Sequence, residues 1–202
     1  SNTADLRKTH YMYCWSPSVV PKPHDWGRRI HVVGYWFLDA QKSNLPHVFD
    51  TFLTPVFSFK PSLELQTFLS REPKPIYIGF GSIIVKDPDA LTKTIIEGVR
   101  LSGQRAILAK GRPIIFIAIY RKIWPGWGGT SVDVYPDFIF PLDAVPHDWL
   151  FPQLTAAVHH GGAGTTAAAY RAGIPTMIVP FFGDQFFWAQ RVSTIATKLG
   201  NS

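Results

Sequence analysis

Apolar positions fall into short runs broken by glycine, proline and charged turns, and their pattern changes near residue 75. Residues 76–80 form a continuous apolar run between Pro75 and Gly81, the pattern of a buried strand. Asp87-Pro88 then opens a helix, the aspartate as N-cap and the proline at the first helical position. Leu91, Ile95 and Val99 recur at helical spacing, and Gly103 ends the run. Residues 105–109 make the next strand, so this is a βαβ unit with an expected right-handed crossover. Further on, 138–141 read as a strand, 145–154 as a turn and short helix, and 156–159 as a strand. A helix over 165–171 is closed by Gly173, 176–179 form another strand, and Asp184 opens a last helix reaching about Lys198. This alternation predicts an α/β fold, a Rossmann-like doubly wound parallel sheet with ligands at the carboxyl ends of its strands. The turns at 81–82, 145–149, 159–166 and 182–185 all follow strands and should meet on one rim.

The first 74 residues lack this regularity. Residues 11–15 and 31–37 suggest short strands, with three prolines between them, and only 61–70 carry a helical apolar face before Pro75. The expected division is therefore 1–74 as a connector and the tail of a preceding domain, and 75–202 as the ligand-binding domain. Trp15, Trp26 and Trp36 need a partner surface, which a satellite cluster on the main core would supply. Residues 112–123 read as an additional strand with basic ends, and 124–131 as a loose connection.

Composition narrows the ligand more than the fold. With 46% hydrophobic and 17% charged residues, the 202-residue chain is globular. The net charge of +6 suits an acidic ligand, yet the basic residues are scattered and form no stripe, which argues against nucleic acid. Cys14 is alone, so no internal disulfide exists. The most apolar run, 113–120, is far below the roughly 20 residues of a spanning helix. A cytoplasmic location is expected, any membrane contact being peripheral.

The candidate chemistry lies at 159–166 and 184–185. Gly161, Gly162 and Gly164 allow ligand oxygens close to the backbone, and the helix that follows offers free N–H groups to an anion. This predicts a phosphate seat. Gly162, Gly164 and Ala167 match a dinucleotide fingerprint with Asp184 as its acid, but such fingerprints open their domain and this one comes late. His159 and His160 are also unexplained by that reading. A histidine here can donate to a phosphate oxygen, while its neighbour, pointing to the opposite face, is a core residue. Asp184 and Gln185 pair a carboxylate with an amide, suited to vicinal sugar hydroxyls, although Asp184 could equally cap its helix.

HHGGAGTT followed by RAGIPTMIVPFFGDQFFWAQRV resembles the donor-binding motif of inverting GT-B glycosyltransferases that use UDP-sugars. YCWSPSVVPKPHDW, HVVGYWFLD, PIYIGFGSI, RAILAKG and VPHDWLFPQLTAAVHHGG resemble the sterol 3-beta-glucosyltransferases in particular. The resemblance covers most of 11–39 and 75–198. It implies the C-terminal, donor-binding half of a two-domain enzyme that transfers glucose from UDP-glucose to a sterol 3-hydroxyl with inversion. It further implies that Ser82 and the turn of His159, His160, Gly162, Ala163, Gly164, Thr165 and Thr166 hold the diphosphate. His159 falls on the family's phosphate histidine and His160 is the second candidate. Val145 and His147, in the segment 145–149, would border the uracil, and Asp184 and Gln185 would bind the glucose. Neither a metal nor a cofactor is implied.

The departures are specific. Where related plant enzymes carry a ribose-binding glutamate, eight positions after the phosphate histidine, this chain has Ala167. Residues 111–125 interrupt a join between Lys110 and Gly126, which marks an insertion or a retained intron; 40–60 are a second candidate addition. The family continues beyond the position of Ser202. Its acceptor-activating histidine belongs to the N-terminal domain, and no residue here, His147 included, is a convincing substitute. The isolated chain is therefore expected to be inactive. The alternatives are a half-enzyme acting on another lipid or small aglycone, and a non-catalytic fragment of the same fold.

Overall fold

A computed structural model describes residues 9–37, 59–81, 83, 87–109, 135–142 and 145–200. The expected extra strand at 112–123 and the insertion at 111–125 lie outside these residues, as do Ser82 and most of 40–60. The chain divides into two compact units, Leu45–Ala189 and Ser1–Asn44 with Gln190–Ser202. Neither boundary of this division, 44/45 or 189/190, coincides with the one expected at 74/75.

In the first unit named, a five-stranded parallel sheet runs β5-β4-β3-β6-β7. Its strands are β3 (Ile76–Gly79), β4 (Ala106–Ala109), β5 (Ile139–Leu142), β6 (Ala157–His159) and β7 (Thr176–Ile178). The helices, numbered along the chain, begin with α1 (Leu63–Ser70) and α2 (Pro88–Ser102). They continue with α3 (His147–Leu150), α4 (Ala163–Ala172) and α5 (Gln185–Gly200), whose last residues belong to the second unit. The caps follow the sequence signals. Asp87 Oδ1 accepts from Ala90 N at 2.9 Å, and Gly103 (φ 65°) and Gly173 (φ 69°) close α2 and α4 in the left-handed region.

One sheet face packs Tyr77, Ile107, Leu142 and Ala157 against Leu65, Phe68, Leu150, Phe151 and Ala169. The other packs Ile78, Ala106, Leu108 and Ile139 with Val99 of α2. Helix α1 is thus part of the core, not of a linker. Ser62 Oγ caps it at Leu65 N, and buried Arg105 ties its far end to the sheet. The Arg105 guanidinium donates to the carbonyls of Phe68, Arg71 and Pro73 and stacks 4.1 Å from the Phe68 ring centroid.

The second unit contains β1 (Tyr11–Tyr13) and β2 (Ile30–Val32), which pair in parallel with Tyr11 opposite Ile30. Tyr13 packs on Trp15 and on Trp26, both at 4.5 Å between ring centroids, while Trp36 remains 69% exposed. Arg191 donates to Val19 O through Nη2 at 2.7 Å. Among the described residues no helix is long and apolar enough to cross a membrane.

Candidate functional site

From β3 the chain builds outward through β4 to β5, then returns to place β6 and β7 on the opposite side of β3. The order of construction reverses between β3 and β6, and in open parallel sheets ligands lie outside the carboxyl ends at such a switch point. Gly79 and His159 are the last paired residues there. The glycine turn follows directly, so topology and motif select the same place.

Gly161 makes the turn possible. Its φ is +90°, and a Cβ on it would lie 2.6 Å from Ile178 Cγ2 and 3.2 Å from Gln185 O. A side chain is excluded both by conformation and by the close approach of β7 and the start of α5. Helix α4 then begins at exposed Ala163 and Gly164, with Thr165 half-buried. The first intrahelical bond runs from Thr166 N to Gly162 O at 3.0 Å. The N–H groups of Ala163, Gly164 and Thr165 therefore precede the helical ladder and form its positive end. Thr166 belongs to the core instead of the rim: it is fully buried and its hydroxyl donates to Gly162 O at 3.0 Å. Ala167 is also buried and has no group to offer a ribose.

The paired histidines occupy different environments. His159 is completely buried, and its Nδ1 accepts from Gly161 N at 3.0 Å. That bond requires the proton on Nε2, which is buried without a hydrogen-bond partner among the described residues. Burial, reinforced by His160 and His147, lowers its pKa to about 4, so the ring is neutral near pH 7. His160 is half-buried. A Cβ on Gly162 would fall 2.5 Å from its Nε2, and one on Gly81 would fall 3.1 Å from its Cε1. The His160 ring thus fills the gap between the turns after β3 and β6. Burial lowers its pKa too, against the opposing pull of the Gly79 backbone and Asp184.

His147 opens α3 and stacks on Phe151 at 4.6 Å, with its Nε2 3.3 Å from Tyr77 Oη. Burial is the main cause of its lowered pKa, and it also raises that of Tyr77 to about 12. Val145 is half-buried and packs against the main core. On the other side, exposed Asp184 accepts through Oδ2 from Trp188 Nε1 at 2.9 Å. Its backbone carbonyl accepts from Trp188 N at 3.1 Å, which places Asp184 at the head of α5. Gln185 is 5% exposed, and its Oε1 accepts from Phe181 N and Phe182 N at 2.8 and 3.0 Å. Its acceptor end is therefore committed to the loop, a role that sequence spacing does not reveal. Phe181 meets Phe80 edge-on at 5.5 Å, joining this loop to the end of β3.

A parallel sheet in this order, with a histidine–glycine turn at its switch point, is the Rossmann-like C-terminal half of the GT-B glycosyltransferase fold. The kitacinnamycin glycotransferase aligns over 97% of this chain and 43% of its own, at TM-score 0.63 and 16% identity. Arabidopsis thaliana UGT89C1 complexed with UDP aligns over 81% of this chain and 35% of its own, at TM-score 0.53 and 18% identity. At those identities the likeness is one of fold. The profile of the erythromycin biosynthesis protein CIII-like C-terminal domain matches residues 128–200.

Sequence relatives are more specific. Sterol 3-beta-glucosyltransferase UGT80A2 of Arabidopsis thaliana is 46% identical over 89% of this chain and 24% of its own length. The sterol 3-beta-glucosyltransferase of Cryptococcus neoformans var. neoformans serotype D (strain JEC21) is 44% identical over 95% of this chain and 12% of its own. Over most of its length the chain is similar to these sterol 3-beta-glucosyltransferases, and it spans about a quarter of the plant relative and about an eighth of the fungal one.

Proposed function

We propose that this chain is the donor-binding part of an enzyme that transfers glucose from UDP-glucose to the 3-hydroxyl of a sterol. The observation that carries the donor reading is the buried His159 Nε2–H, without a partner among the described residues, at the carboxyl end of β6 beside a turn that leads into a helix N-terminus. A buried donor without an acceptor is costly, and a phosphate oxygen would satisfy it. The N–H groups of Ala163, Gly164 and Thr165 supply further donors for a diphosphate, with His160 between the two glycine turns. Asp184 offers a carboxylate to sugar hydroxyls, and 145–149 borders the base.

In the transfer, the sterol oxygen attacks the anomeric carbon while the bond from that carbon to the UDP oxygen breaks. The configuration inverts, and the hydroxyl proton passes to a base supplied by the rest of the polypeptide. This chain's own contribution is to bind the donor and stabilise the charge gathering on the leaving diphosphate. The sterol assignment draws its support from similarity to the sterol 3-beta-glucosyltransferases, because the donor half does not select the acceptor.

Titration calorimetry of the purified chain with UDP, UDP-glucose and NAD tests the donor reading. Binding of UDP and UDP-glucose that weakens in His159→Ala and His160→Ala is expected. A preference for NAD, or no binding of any of the three, would overturn it. Sterol glucosylation by residues 1–202 alone is not expected, and its detection would refute the assignment of the base to another part of the polypeptide.

A further inference from the structure

The second unit holds a group of metal-ligating side chains that donor binding leaves unused. His10 Nδ1 and His31 Nε2 are 2.8 Å apart. Their rings are inclined by only 11°, with centroids 5.1 Å apart. For nitrogens 2.8 Å apart, that centroid separation is reached only when both lie on the line joining the ring centres. The imidazoles therefore meet end to end, each nitrogen pointing straight at the other. Met12 shares their face of the β1–β2 pair. It is the parallel partner of His31, lies two residues after His10 and is 58% exposed. Among the described residues no further His, Cys, Asp or Glu joins the two histidines to make a group of three.

We propose that His10, His31 and Met12 form a site for monovalent copper, two imidazole nitrogens and one thioether, which fastens β1 to β2. The ligand set selects the ion. Calcium and magnesium need oxygen ligands, and structural zinc takes four protein ligands, which this face does not offer. Imidazole and thioether together suit copper, and the monovalent ion is satisfied by two or three soft ligands. The protons also fit. A neutral pair holds one proton between its facing nitrogens. Moved to the far nitrogen of its own ring, that proton leaves two facing lone pairs, so the metal enters without net loss of a proton. With metal–nitrogen lengths of about 2.0–2.1 Å, as for zinc, a trigonal site needs the nitrogens about 3.5 Å apart. His10, exposed and just outside β1, can open the pair by that small amount.

Cys14 is exposed and would compete as a soft ligand, so the test uses the full chain carrying Cys14→Ser. Cu(I) is titrated without oxygen, in ascorbate, against a chromophoric Cu(I) chelator, and zinc is titrated separately by calorimetry. The expected result is one Cu(I) per chain, held at least about tenfold more tightly than zinc. Affinity for Cu(I) should fall about 100-fold in His10→Gln and in His31→Gln, and about tenfold in Met12→Leu. In parallel, the imidazole nitrogen resonances of the Cys14→Ser chain are followed by NMR as Cu(I) is added. Those of His10 Nδ1 and His31 Nε2 should shift most. This readout uses both native histidines, so it does not depend on either histidine variant folding.

No stoichiometric Cu(I) binding by the Cys14→Ser chain would overturn the proposal and leave the histidines as a hydrogen-bonded pair. Tighter binding of zinc than of Cu(I) would overturn it too, as would unchanged Cu(I) affinity in either histidine variant. Shifts centred on other histidine nitrogens would place the metal elsewhere and equally refute it, and undiminished affinity in Met12→Leu would remove the thioether from the site.

Discussion

Replacing His159 by alanine is the sharpest perturbation of the phosphate seat, because one fully buried ring has two separate duties. Its Nδ1 accepts from Gly161 N at 3.0 Å, and its Nε2–H is the donor proposed for phosphate. A hydrogen bond to a charged acceptor is worth about 1.5–3 kcal/mol, so UDP should bind about 10- to 150-fold more weakly. The ring's volume and the Gly161 acceptor are lost from the folded state as well. A partly relaxed cavity together with an unsatisfied N–H should lower stability by about 3 kcal/mol, or a melting temperature about 6–12 °C lower for a chain of this size. Calorimetry at a temperature where both proteins are folded separates binding from stability, and thermal denaturation measures the second effect. A folded His159→Ala protein with a UDP Kd within twofold of native would refute the assignment of Nε2 to the phosphate, whatever its melting temperature.

The depressed pKa of His159 has its own signature in stability. Its folded value of about 4 lies below the ordinary histidine value of 6.5, so between these pH values the unfolded chain binds a proton that the native chain does not. Stability should be fully present above pH 6.5 and decline as pH falls toward 4, by about 3 kcal/mol for this residue, with His147 and His160 acting in the same direction. Denaturant titrations across that window that show no decline would contradict it. Arg105→Met strands three carbonyls at the end of α1 and should cost about 3 kcal/mol without altering UDP affinity measured on folded protein. Gly161→Ala meets both a left-handed φ and the Ile178 side chain; a loss of at least about 2 kcal/mol together with weakened UDP binding is expected. Asp184→Asn keeps an oxygen for Trp188 Nε1 but drops the charge, so UDP-glucose should weaken by about tenfold while UDP stays within about twofold.

The fold was legible where local rules and global topology agree. Continuous apolar runs marked the parallel strands because both sheet faces are covered, and Asp87, Gly103 and Gly173 announced helix ends through capping chemistry. Helix α1 was recognisable as a helix but not as core, since its burial depends on Arg105, more than thirty residues later. The strand expected at 138–141 lies at Ile139–Leu142, because Pro141 reads as a breaker yet sits in β5, at the edge of the sheet where a missing N–H is tolerated. In the site, spacing found both histidines and could not rank them. Alternation says that neighbours diverge, whereas the tautomer of His159 is set by a bond to Gly161 that only the folded turn creates. Thr166 looked like a phosphate ligand by sequence order, but the phase of α4 turns it inward. Gln185 carried no signal of its loop role, because its partners are backbone groups and any side chains at 181 and 182 would present the same N–H.

On the proposed reading, these environments explain how a seat built from neutral groups would serve an anionic donor. A permanent cation as deeply buried as His159 would carry a desolvation penalty whenever the ligand is absent. The neutral imidazole avoids that penalty, and the N-terminus of α4 supplies partial positive charge from dipoles that do not reorganise. On that reading, an arriving diphosphate favours the protonated form of His160, while His159 meets it as a neutral donor because its Nδ1 accepts from Gly161 N. If the proposed transfer takes place here, charge on the diphosphate would grow as the bond to the anomeric carbon breaks, and donors already in place would stabilise the transition state more than the ground state. With Ala167 offering nothing to a ribose, the glycine turn and the Asp184 loop would carry more of a bound donor's orientation. Gln185 joins them, its backbone against Gly161 and its Oε1 accepting from Phe181 N and Phe182 N.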